Sequence, residues 1–150
     1  MARKNETIWF VVSDGSRARF LTPIQGRPEY RVVASYESQE AKLPSRELVS
    51  TPPGRAQESA NPAHHAIEPR QDPHTARKAA FAREIASHLK LAGKRGDYDW
   101  LILYADPRSL AVLREALDPA TRRKVKAEIA KDLTKTPVAE LPQHFAADLL

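Results

Sequence analysis

The chain contains no cysteine. Disulfide staples and thiolate metal sites are therefore excluded, and the fold must rest on packing. Aromatic residues make up only 7% of the sequence and do not interleave with its basic residues, so the stacking platform of a single-strand binder is missing. There are five glycines and no Gly-x-Gly-x-x-Gly, P-loop or nucleophile-elbow pattern. Nothing points to a cofactor, and the spacing of serine and histidine suggests no triad. No apolar run approaches the ~20 residues of a membrane span. The start, Met1 to Glu6, lacks the apolar region of a signal peptide, so a cytoplasmic location is expected.

What is present fits one α/β domain of 150 residues. Lysine and arginine outnumber acidic residues 24 to 19, a formal charge of +5 that permits nucleic-acid contact without requiring it. The most informative stretch is Trp100 to Leu110. Its apolar run stops abruptly at Asp106-Pro107, which suits a strand buried on both faces. Asp106 can cap the following helix and Pro107 can occupy its first turn, where a missing N–H costs nothing. Leu110, Leu113 and Leu117 then recur at helical spacing.

Before this unit, Thr7 to Ser13 reads as a buried strand and Asp14-Gly15 as a tight hairpin turn. Arg17 to Thr22 is the return strand, with Ala18 and Phe20 on one face and Arg17 and Arg19 on the other. Tyr30 to Tyr36 is a third strand. Residues 39–71 carry Pro44, Pro52, Pro53, Pro62 and Pro69 and no period, which predicts an extended arm. Asp72-Pro73 opens a helix to about Ala92, with Gly93 just past its end. Phe81, Ile85, Leu89 and Ala92 form its apolar stripe, while Arg77, Lys78, Glu84 and Ser87 face water. Asp118-Pro119 caps a short turn. Val125, Ala127 and Ile129 alternate with charged residues as a half-exposed edge strand, with a helix as the rival reading. A last helix starts at Thr136-Pro137, and Pro142 predicts a kink or a short break in it. Trp9 and Trp100 are expected in the core. The order yields a five-stranded mixed sheet, 3-2-1-4-5, with helices on both faces.

Several motifs together resemble the bacterial host-attachment protein family. They are Ser13-Asp14-Gly15-Ser16-Arg17-Ala18-Arg19, Gly54-Arg55 with Glu58-Ser59, and Ala105 to Leu110 with Leu113-Arg114. Glu128, Lys131-Asp132-Leu133-Thr134 and Pro137 complete the set. Members of that family resemble the middle domain of archaeal and eukaryotic peptide-chain release factors. The resemblance implies that fold and a ribonuclease-H-like sheet. In release factors a Gly-Gly-Gln in the loop after strand three promotes peptidyl-tRNA hydrolysis. Here the arm reads Pro53-Gly54-Arg55-Ala56-Gln57, so hydrolysis does not carry over. What the resemblance leaves is a non-catalytic module binding ribosome, tRNA or other RNA, with the arm as its contact element.

Three sets of residues are candidate sites. Arg17, Arg55, Arg108 and Lys131 are the phosphate-binding candidates, within a wider basic set of Arg19, Arg122, Arg123, Lys124 and Lys126. The bland reading is a solvated charged surface. Asp14, Asp106 and Asp132 each follow a predicted strand and should share the carboxyl edge of the sheet, where open α/β sheets bind ligands. Together they could serve a metal-dependent nuclease or phosphodiesterase; separately they are a turn residue, a cap and a loop residue, and no metal is assigned. His64, His65 and His74, with Glu68 and Asp72, could hold zinc, but exposed histidines are the simpler reading. A third function class is a protein-interaction module that regulates attachment to host cells.

Overall fold

A strand that is apolar at consecutive positions must bury both faces. The computed structural model, which describes residues 6–39 and 73–149, shows how this chain does so. Strand β1 (Ile8–Ser13) is central. It pairs antiparallel with β2 (Arg17–Pro23), which pairs antiparallel with β3 (Tyr30–Glu37). On its other side β1 pairs parallel with β4 (Trp100–Tyr104), and β4 pairs parallel with β5 (Val125–Ile129) at the sheet edge. The five-stranded order is β3-β2-β1-β4-β5, as the sequence predicts.

Alternate residues of β1 and β4 supply two cores. Trp9, Val11, Leu101 and Leu103 point to one face. There they meet helices α1 (Pro73–Arg95) and α2 (Pro107–Ala116) through Phe81, Ile85, Leu89, Leu110 and Leu113. Phe10, Val12, Ile102 and Tyr104 point to the other face and meet Leu141 and Phe145. These belong to the last helix, α4 (Leu141–Leu149). The short helix α3 (Pro119–Arg122) lies between α2 and β5.

Some local readings change and others gain detail. Helix α1 runs past Gly93 to Arg95. Its terminator is Gly96, at φ +79°, with Asp97 N–H donating to Ala92 C=O at 3.0 Å and Gly96 N–H to Gly93 C=O at 3.1 Å. Gly93 is needed for room instead: a Cβ there would sit 2.9 Å from the Tyr98 hydroxyl. That hydroxyl donates to Leu89 C=O at 2.6 Å, and burial pushes its pKa up to about 12. Of the kink or short break expected at Pro142, the structure has the break, just before the proline. The chain takes a 3-10 turn over Val138–Glu140 and α4 begins at Leu141, so Pro142 stands in the first turn.

The tight turn expected at Asp14-Gly15 is present, joining antiparallel β1 and β2, and Gly15 has no positive φ in it. Asp14 organises it, with Oδ1 accepting from Ser16 N–H at 2.7 Å and Arg17 N–H at 2.8 Å. Trp100 is half-buried rather than core, with Lys126 Nζ 4.8 Å above its ring. The arm, Arg55 and the His64, His65, Glu68 and Asp72 group lie outside the described residues, except for Gln39.

Candidate functional site at the carboxyl edge

Because β1, β4 and β5 run parallel, Asp14, Asp106 and Asp132 all emerge at one edge. Two of them are joined. Thr134 Oγ1 lies 3.1 Å from Asp14 Oδ2 and is also hydrogen-bonded to Asp132 Oδ1, whose other partner is Thr134 N–H at 2.9 Å. Asp106 turns the other way and caps α2, with Oδ2 accepting from Ser109 N–H at 3.1 Å. Among the described residues no three His, Cys, Asp or Glu side chains stand close enough to hold a metal ion. The edge therefore does not gather the three aspartates round one point.

The basic candidates fall into two groups. On the α4 side, Arg19 is fully engaged: its Nη2 reaches the carbonyls of Leu133, Thr134 and Thr136 at 2.9, 3.2 and 2.9 Å. Burial, and then the neighbouring Arg17 charge, hold its pKa below the usual arginine value. Lys131 Nζ is paired with the Asp148 carboxylate at 2.9 and 3.1 Å. That lysine hydrogen bond keeps Asp148 below the ordinary carboxylate range. Burial raises the neighbouring Tyr104 phenol, and the Asp148 charge adds to the rise. Away from the edge, Arg122 donates to Arg114 C=O at 2.8 Å, Arg114 is paired with Glu128, and Lys124 Nζ lies 5.4 Å over the Tyr98 ring. Arg123 is exposed.

Beside the first turn of α2, Lys78 and Arg108 make no such contact among the described residues. Arg108 is exposed in the first turn of α2 and makes no hydrogen bond or ion pair among the described residues. Arg17 stands between the groups: its Nε is 3.9 Å from Asp14 Oδ2, beyond hydrogen-bond length, and has no hydrogen-bond partner there.

Arg108 borders a cleft of about 260 Å³ between the first turns of α1 and α2. Its polar lining includes Asp14, Asp106, His74, Lys78, Arg108 and Ser109. Its apolar wall is Ala79, Ala82, Val112 and Leu113. His74 Nδ1 is buried without a hydrogen-bond partner among the described residues.

Lys78 corrects the expectation that it faces water. It is half-buried, and its stem runs across Gly15, where a Cβ would lie 2.6–2.8 Å from Cγ, Cδ and Cε. The signal was there in the spacing. Lys78, Phe81, Ala82 and Ile85 fall at i, i+3, i+4 and i+7, which is one helix face.

Residues 9–145 match the family described as "Protein required for attachment to host cells". The chain belongs to this host-attachment family. The expected relationship thus holds over nearly the whole sequence. Among solved structures, the host-attachment chain is similar to an archaeal translation termination factor, aRF1, at 10% identity and a TM-score of 0.46, over 95% of this chain and 38% of that one. It is also similar to an archaeal protein at 12% identity and a TM-score of 0.47, over 94% of this chain and 36% of that one. It spans little more than a third of the length of either. None of the curated proteins compared matches it.

Proposed function

We propose that this host-attachment chain is a non-catalytic RNA-binding module that holds backbone phosphates at the carboxyl edge of its sheet. The observation that carries the reading is the contrast in cation use. Arg19 and Lys131 are consumed by carbonyls and a carboxylate, whereas Arg108 and Lys78 have no partner among the described residues and flank one cleft. An exposed arginine without a protein partner remains available to a phosphate. The aspartates nearby each hold protein donors: Asp14 two backbone amides and Thr134, Asp132 Thr134, and Asp106, through Oδ2 alone, Ser109 N–H. Ribosomal RNA and tRNA are the particular partners expected, with Arg55 as a further contact. Any effect on attachment would then act through RNA.

Anisotropy titrations of labelled RNA over a salt series test this. Binding should weaken linearly in log–log form as salt rises, and Arg108→Ala should reduce the slope by about one. Absence of salt-sensitive binding would sink the reading. Lysate partners that persist after RNase treatment would favour a protein-interaction module instead.

A further inference from the structure

The cleft is more specific than a charged surface needs to be. A backbone phosphate requires only an exposed cation, yet this site pairs its cations with an apolar wall and an acceptor. At about 260 Å³ it lies near the small end of ligand cavities, which start at about 300 Å³. It has room for one small molecule or one unit of a chain, not for a run of units.

Three chemistries converge on it. Lys78 and Arg108 offer positive charge without a partner among the described residues. Lys78 is also positioned, since its stem lies against Gly15. Asp106 uses Oδ2 for the helix cap, while Oδ1 accepts no hydrogen bond among the described residues and is free for a hydroxyl or amino donor. Ala79, Ala82, Val112 and Leu113 supply a surface that gains nothing from a bare phosphate but can cover a flat apolar ring. A nucleoside monophosphate carries all three: an anion, hydroxyl donors and a flat ring. From this geometry we infer that the cleft binds one nucleoside monophosphate unit. The phosphate lies at Lys78 and Arg108, the ribose hydroxyl at Asp106, and the base against the α1–α2 wall. The unit is supplied either as free nucleotide or as the end of an RNA chain; only the second source rests on the RNA-binding reading.

Calorimetric titration of the full chain with AMP, GMP, CMP and UMP tests the inference, with ribose 5-phosphate and inorganic phosphate as controls. A nucleoside monophosphate should bind at least about tenfold tighter than ribose 5-phosphate, which lacks the ring. Lys78→Met and Arg108→Ala should each weaken it by about tenfold. Gly15→Ala should give a loss like that of Lys78→Met, because the new Cβ displaces the lysine stem. Ala79→Leu should fill the wall and abolish nucleotide binding while long RNA still binds with an unchanged salt slope. If no free monophosphate binds, RNA with a free end must bind tighter than RNA blocked at both ends, and Ala79→Leu must erase that difference. Failure of both arms overturns the cleft assignment, whereas loss of salt-sensitive binding to long RNA overturns only the RNA reading. Ribose 5-phosphate binding as tightly as AMP would also overturn it, since the wall would then recognise nothing.

Discussion

The two faces of one sheet edge use the same residue types to opposite ends. Under α4, two cations are spent inside the protein: Arg19 on the 133–136 loop and Lys131 on Asp148. Between α1 and α2, Lys78, its stem laid against Gly15, and the exposed Arg108 have no protein partner among the described residues. The side chains alone do not separate structural from functional charge. What separates them is whether the local backbone presents acceptors, as the 133–136 loop does and the α2 first turn does not.

This contrast can be broken by substitution. The largest effect should come from Phe145→Ala on the α4 face. Phe145 is 1% exposed and stacks on Phe10 with centroids 4.3 Å apart, so its loss should cost about 3–5 kcal/mol in urea unfolding. Hydrogen exchange should then show residues 133–149 losing protection before α1 does; uniform loss would mean the faces are one unit. Next is Arg19→Ala, which takes a donor from three carbonyls, of which Leu133 C=O keeps Thr136 N–H, and should cost about 2 kcal/mol. A cost below about 0.5 kcal/mol would place Arg19 with the available cations instead.

A smaller effect belongs to the Lys131–Asp148 pair, at under about 1 kcal/mol. The Asp148 pKa is lowered in the folded chain. The pair therefore contributes fully above the unfolded carboxylate value of about 3.9, and its contribution fades as pH falls through the lowered native value. The stability gap between wild type and Lys131→Met should close between about pH 4 and lower values. A gap constant from pH 6 to 2 would contradict this. Smallest of all in stability, Arg108→Ala should change unfolding by less than about 0.5 kcal/mol, while lowering the RNA salt slope. A destabilisation as large as that of Arg19→Ala would erase the contrast between the faces.

Much of the architecture was legible because it rests on periodicity. The apolar runs of β1 and β4, the Asp-Pro devices and the spacing of the α1 stripe each have one low-energy solution, and together they fix the sheet order. The misreadings occur where a residue answers to a distant neighbour. Gly93 looks like a helix end but makes room for Tyr98, and Gly15, legible only as a turn residue, also makes room for Lys78. Pro142 reads as a kink or a break, and only the break is found, just before it. At the site, the shared edge of the three aspartates followed from parallel strands. Their separate engagements did not, because Thr134 and Ser109 act through geometry that spacing alone cannot supply. Arg108 was legible as a basic candidate; the cleft it borders was not, since its walls come from two helices brought together only by packing.

The Arg19 contacts carry a consequence for the order of events in folding. Their partners are 114 to 117 residues further along the chain. Closing so large a span is favourable only after β1, β4 and β5 have aligned, so the guanidinium latches an edge already built. Contacts made that late are absent from the transition state. Removing the latch should therefore leave the refolding rate nearly untouched and show itself as faster unfolding, which makes this arginine a determinant of how long the native state lasts rather than of how quickly it is reached.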